Sequence, residues 1–215
     1  MLSFFATSEG GLTVPGYVAV AIVLFLVLII SSVIGNKKRK FSTRQLIFSA
    51  AAIALAFATS NIKLFHLPMG GSVTLFSMLF ITLIGYWYGP VGGIMAGVAY
   101  GLLQLIIDPY IVSIPQMLID SPFAFGALGL SGFFSGKKNG LITGYAAGVI
   151  GRFVFAVLSG VVFFGMYAPE GMSPFIYSAS YNGAYLGAEA AITLILLAVP
   201  AVRKALAQVK TQALG

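Results

Sequence analysis

The chain has no cysteine and a single histidine among its 215 residues, and only 8% of it is charged. Without cysteine there is no disulfide, no thiolate-ligated zinc and no thiol nucleophile, and His66 alone does not make a multi-histidine metal site. The shortage of charge excludes an ordinary soluble domain, which carries roughly 25% charged residues. A phosphate-cradling Gly-Lys-Ser loop, a Gly-x-Ser-x-Gly elbow and a carboxylate cluster at metal spacing are all missing, so the chain is expected to be no enzyme and to hold neither cofactor nor metal. There is also no internal repeat of the kind found in many autonomous secondary transporters.

What the chain has is apolar residues, 59% of the total. A membrane-crossing helix needs roughly 20 of them in succession. Seven candidate spans follow one another, at about 17–34, 44–60, 72–88, 91–107, 116–134, 141–166 and 177–199. The first is expected to be a retained span rather than a signal peptide, because the basic block Lys37-Lys38-Arg39-Lys40 follows it and no small-residue cleavage pattern ends it. Gly89-Pro90 turns the third span directly into the fourth, since proline cannot continue the helical ladder. Pro200 ends the last. Glycines and alanines within the spans, such as Gly126, Gly129 and Gly132, allow close helix approach.

Lys and Arg favour cytoplasmic loops. With the N-terminus outside and the C-terminus in the cytoplasm, the inner segments collect Lys37 to Lys40, Arg44, Lys137, Lys138, Arg203, Lys204 and Lys210, and only Lys63 is external. Glu9, Asp108 and Glu170 fall on the outer side. The net charge of +7 is thus explained by topology rather than by nucleic-acid binding.

An ionisable group inside a bilayer is expensive and marks a functional candidate. Asp120, Arg152 and Glu189 qualify. Asp120 suits a counter-ion to a cationic ligand, or else a carboxylate satisfied by a helix N-terminus. Arg152 suits a partner for Asp120 or Glu189, or a contact to an anionic ligand group; Glu189 suits an interhelical role. Tyr110, Phe164, Tyr167, Tyr177, Tyr181, Asn182 and Tyr185 gather near the outer ends of their spans, as interfacial aromatics or as the walls of a pocket for a planar cation. Ala50 and Ala54 form a small-xxx-small pair, for packing within the chain or for docking another membrane subunit.

Several separated segments carry a resemblance: Lys63 to Val73 (KLFHLPMGGSV), Ala99 to Gln104 (AYGLLQ), Gln116 to Phe125 (QMLIDSPFAF), Ala168 to Met172 (APEGM) and Tyr177 to Tyr185. Together they resemble the thiamin-specific S component of energy-coupling factor transporters. The resemblance implies an all-α integral membrane fold in the bacterial cell membrane. Residues 41–215 would form a six-helix substrate-binding bundle, and residues 1–40 an extra N-terminal transmembrane helix with its basic loop. It implies thiamin as the transported ligand, and as partners a coupling subunit in the membrane with two ATPase subunits. By position, Asp120 matches the acid facing the thiazolium, Tyr177 and Asn182 the pair at the aminopyrimidine, and Gly160 a pocket glycine; Phe164, Tyr167, Tyr181 and Ser121 complete the expected ligand site. Ala50 and Ala54 match the docking motif. Phe164 stands where a tryptophan can occur, Ala156 where a histidine can and Ser121 where a tyrosine often does, departures that remove hydrogen bonds. Pyridoxine or hydroxymethylpyrimidine therefore remains an alternative ligand, and a non-transport membrane scaffold a further alternative.

Overall fold

The computed structural model describes residues 42–215 continuously, together with 13–15, 18 and 22. The rest of the expected first span and its basic block lie outside the described residues. In chain order the elements are α1 (Thr43–Ser60), β1 (Lys63–His66), β2 (Ser72–Thr74), α2 (Ser77–Tyr88), α3 (Pro90–Ile107), α4 (Ile114–Phe134), α5 (Gly140–Phe163), α6 (Pro174–Ala198) and α7 (Pro200–Leu214). Five of these, α1, α3, α4, α5 and α6, are long and apolar enough to cross a bilayer, and α2 is a shorter apolar helix.

Local chemistry sets the helix starts. Ser42, Ser113 and Ser173 each accept from a backbone N–H three residues on, capping α1, α4 and α6. Pro90, Pro174 and Pro200 occupy first-turn positions, where the missing N–H costs nothing. Between α2 and α3, Gly89 at φ 90° makes the turn that L-residues rarely adopt.

α4 changes its hydrogen-bonding step along its length. An α-helical turn (Ile114–Leu118) widens into a π turn (Ile119–Phe123) that contains Pro122, and the helix ends as a long 3-10 segment (Ala127–Phe134). A 3-10 helix has three residues per turn, so side chains three apart eclipse. Gly126, Gly129 and Gly132 therefore share one face, and it is the face pressed on α3. A Cβ added at Gly129 would lie 2.1 Å from the Ile94 nitrogen, and one at Gly132 2.2 Å from the Pro90 nitrogen. α2 joins the same contact: a Cβ on Gly93 would meet the Gly85 Cα at 2.5 Å. Three backbones touch here, with only the Ser131 hydroxyl reaching across from α4 to the Thr82 carbonyl of α2, the close approach that drives helix association in lipid.

The span expected at 72–88 is a helix only from Ser77. Ser72–Thr74 is instead a strand, paired antiparallel with β1 in the register Lys63↔Thr74, Phe65↔Val73 and His66↔Ser72. At 12 residues α2 covers only about 18 Å, well short of a hydrocarbon core of about 30 Å. Non-helical backbone at membrane depth is tolerated only where protein satisfies its amides. Glu189 of α6 does so. Its carboxylate accepts from the Thr74 N–H at 3.0 Å, the Thr74 hydroxyl at 2.6 Å, the Ser77 hydroxyl at 3.2 Å and the Met78 N–H at 3.1 Å. Phe76, the residue before α2, adopts φ 63° and offers no side-chain cap. A residue 112 positions from Ser77 thus supplies it, with a negative charge where the helix dipole favours one.

The segment after α6, read as an end of the last span, is the further helix α7. Its Leu206, Val209 and Ala213 pack on the core, and the Tyr88 hydroxyl donates to the Ala213 carbonyl at 3.0 Å.

Candidate functional site

At the end of the bundle where α2 begins and α5 finishes lies a cavity of about 220 Å³. Drug-sized ligands usually take roughly 300–1,000 Å³, so this space selects a small solute. Its walls are the β-hairpin, α3, the π turn of α4, the last turns of α5 and the first turns of α6.

Two aromatic groups flank it, with Tyr177 stacked on Tyr181 in one and Tyr185 edge-on to Tyr181. On α6, Tyr177, Tyr181 and Tyr185 recur every four residues, with centroid separations of 6.4 and 5.8 Å. Opposite them Tyr110 stacks on Phe164 at 5.8 Å, and Phe164 on Tyr167 at 6.5 Å. Partial burial raises the Tyr110 phenol above its ordinary pKa, so it stays neutral. Tyr181 also holds the hairpin down. Its hydroxyl donates to the Pro68 carbonyl and accepts from the Gly71 N–H at 2.9 Å. A Cβ on Gly71 would come within 2.6 Å of that hydroxyl, so a larger residue would displace the Tyr181 contact.

Asp120 enters from the π turn of α4. Its carboxylate accepts from Gln116 Nε2 at 2.6 Å. Gln116 is itself fixed: it is buried, donates to the Tyr110 carbonyl at 3.2 Å and accepts from the Val112 N–H at 3.0 Å. Among the described residues no cation lies within ion-pair distance of Asp120; the pair that forms, Lys63 with Asp108 at 2.7 Å, closes the rim. Arg152 does not pair with Asp120 or Glu189. Its guanidinium lies over the Phe125 ring, 4.0 Å from the centroid, a cation–π contact that stabilises a desolvated charge.

Asn182 is buried and ties α6 to α5. Its Nδ2 donates to the Ser178 carbonyl at 2.9 Å and to the Ala156 carbonyl at 3.3 Å, and its Oδ1 accepts from the Tyr185 hydroxyl at 2.8 Å. The donors are consumed; what remains for a solute is the second lone pair of Oδ1. Gly160 faces the same place, and a Cβ there would fall 2.0 Å from Ser178 Oγ.

Of the residues singled out in the sequence, Asp120, Ser121, Gly160, Phe164, Tyr177, Tyr181 and Asn182 line this one cavity. Tyr167 does not; it is half exposed behind Phe164. Ala50 and Ala54 are elsewhere, exposed on α1 in a stripe with Ile47, Ala51, Leu55 and Ala58. Gln104, Gln116 and Ser178 also line the cavity, and sequence reasoning gave them no role. Their signal was available: each is an uncharged polar side chain inside an apolar span.

Residues 46–208 match the family model described as thiamine transporter protein. The chain belongs to this family. The thiamine transporter ThiT of Bacillus subtilis is 36% identical over 165 residues, which cover 70% of this chain and 84% of that protein. ThiT of Lacticaseibacillus paracasei is 27% identical over 166 residues, 69% of this chain and 83% of that protein. Among solved structures, ThiT from Listeria monocytogenes superimposes with a TM-score of 0.56 at 26% identity, covering 74% of this chain and 94% of that one. As a member of the thiamine transporter family the protein is a multi-pass membrane transporter rather than an enzyme, the reading that the separated motifs had carried.

Proposed function

We propose that the protein is the subunit that captures thiamine at the outer face of the cell membrane, for uptake energised by a separate ATPase-bearing module. The observation that carries this is Asp120: a carboxylate hydrogen-bonded by the neutral Gln116 amide, without an ion pair among the described residues, opening on a cavity between two aromatic stacks. A permanent ring cation complements that carboxylate, the tyrosines and Phe164 stack on flat rings, and Asn182 Oδ1 suits an exocyclic amine. Ser121, Tyr177 and Gly160 complete the wall.

Titration calorimetry on the purified full chain tests the reading. Thiamine binds with measurable heat, and pyridoxine does not. Asp120→Asn weakens thiamine binding roughly 100- to 1,000-fold, because a unit-charge contact near 4 Å at an effective dielectric of 20 is worth about 4 kcal/mol. Binding of pyridoxine instead of thiamine, or full thiamine affinity in Asp120→Asn, rejects the assignment.

Two finer statements accompany it. The cavity end is external and the C-terminus cytoplasmic; the cavity rim and its neighbouring loops hold Asp108 and Glu170, whereas Lys137, Lys138, Arg203, Lys204 and Lys210 cluster at the other end. The cysteine-free sequence makes this testable, since a thiol at position 138 reacts with an impermeant reagent only in inverted vesicles if the orientation is right. The exposed α1 stripe around Ala50 and Ala54 docks on the membrane coupling subunit that carries two ATPases. Ala54→Trp then abolishes co-purification with that module and leaves thiamine binding intact; retained co-purification rejects the docking face.

A further inference from the structure

A second cavity, of about 200 Å³, lies at the opposite end of the bundle, between the end of α2, the α4–α5 loop, the start of α5 and α7. Gly140 lines this one and Gly160 the first. Twenty residues of α5 separate them, about 30 Å of helix, so the second cavity sits at the other membrane boundary.

Its lining is one-signed. Lys137, Arg203 and Lys210 all contribute, and no acidic residue does. Among the described residues none of the three is ion-paired. The described acids are elsewhere: Asp108, Asp120 and Glu189 line the first cavity, and Glu170 is in the loop before α6. The chain offers two of these cations aromatic faces instead of carboxylates, with Lys210 Nζ 4.0 Å from the Tyr86 centroid and Lys137 Nζ 4.8 Å from that of Phe134. Lys137 and Arg203 are exposed and Lys210 is half-buried, so all three are open to an anion from outside.

The rest of the wall says which kind. Tyr86 and Trp87 line the cavity beside the cations, and Leu206 adds an apolar side chain. Aromatics at this depth belong to the membrane interface, and basic pockets between helices at that level suit phosphorylated head groups. A free phosphate would use the cations and leave the apolar wall idle. We propose that this cavity binds the head group of an acidic phospholipid, its phosphate between Lys137, Arg203 and Lys210 and its acyl chains leaving along Leu206. The inference goes beyond vitamin capture and does not depend on it.

Native mass spectrometry of the full chain in neutral detergent tests this, with phosphatidylglycerol and phosphatidylcholine as probes. The protein should retain phosphatidylglycerol in preference. The triple variant K137Q/R203Q/K210Q should lose that preference by roughly a hundredfold, about fivefold per cation, with its melting temperature within a few degrees of the parent. Lys204→Gln, one residue from Arg203 but outside the cavity, should change nothing. If the triple variant misfolds, each single variant carries the same test at about fivefold. Equal retention of the two lipids, or a preference that survives the substitutions, overturns the proposal. So does displacement of phosphatidylglycerol by millimolar inorganic phosphate, which marks a free-phosphate site, or loss of ATPase-module binding without loss of lipid, which marks a protein contact.

Discussion

Removing the charge of Glu189 should loosen the entry into α2 and, with it, the roof of the first cavity. In the native protein one carboxylate serves two backbone N–H groups, of Thr74 and Met78, and two hydroxyls. The hydroxyls can turn to each other, since Thr74 Oγ1 and Ser77 Oγ are already 2.6 Å apart. The N–H groups cannot. Glu189→Gln leaves one oxygen for one of them and points an NH2 at the other, stranding a buried donor at about 1–3 kcal/mol. Loss of the charge at a helix N-terminus adds about 0.3–1 kcal/mol. The sum, about 1–4 kcal/mol, corresponds to a fall in melting temperature of about 3–16 °C for a chain of this length. Glu189→Ala strands both donors and should fall further. Thermal unfolding of the two variants in detergent, followed by tryptophan fluorescence from Trp87, measures this. If Glu189→Gln melts with the parent, or Gln and Ala are equal, the carboxylate is not what holds the start of α2.

Gln116→Leu removes the 2.6 Å hydrogen bond to Asp120; thiamine affinity should fall by about tenfold or more, and unchanged calorimetry would show that Asp120 is positioned without Gln116. Tyr181→Phe should free the Pro68–Gly71 turn, raising amide exchange at Gly71 about tenfold, whereas unchanged protection would mean that the turn is held elsewhere. Gly97→Ala drives a methyl to within 2.2 Å of the Phe125 carbonyl and should destabilise by about 1–3 kcal/mol or more. Gly187→Ala, with nothing within 4 Å, should instead stabilise by about 0.4–1 kcal/mol; a reversed order in thermal melts would contradict the packing described.

Most of the helical frame was legible because its signals are local. Gly89-Pro90 gave the α2–α3 turn, the boundaries of α1, α3 and α6 fell within a few residues of expectation, and Asp120 stood out as an acid in an apolar run. What escaped was set by partners distant in sequence. Residues 72–74 read as the start of a helix because Val73 is apolar; they are a strand because β1 pairs with them and Glu189 accepts from Thr74. The glycines at 126, 129 and 132 were visible as small residues, but their spacing of three gains its meaning only from a 3-10 helix packed on α3. Arg152 sought a carboxylate in the sequence and found an aromatic ring, since Phe125 and Arg152 meet only once α4 and α5 are packed. Helix α7 carries too few apolar residues to register beside the spans.

The backbone contact of α2, α3 and α4 also divides the molecule mechanically. Where Gly85, Gly93 and Gly129 meet, the Ser131 hydroxyl is the one side chain close by, and sliding one helix along another would drive main-chain atoms together. That side of the barrel is a fixed stave. The opposite side is joined by rotatable groups: the Tyr181 hydroxyl on the hairpin turn and the Asn182 amide on α5. A displacement of the hairpin against α6 therefore costs hydrogen bonds that can re-form, whereas one among the glycine-packed helices costs main-chain overlap.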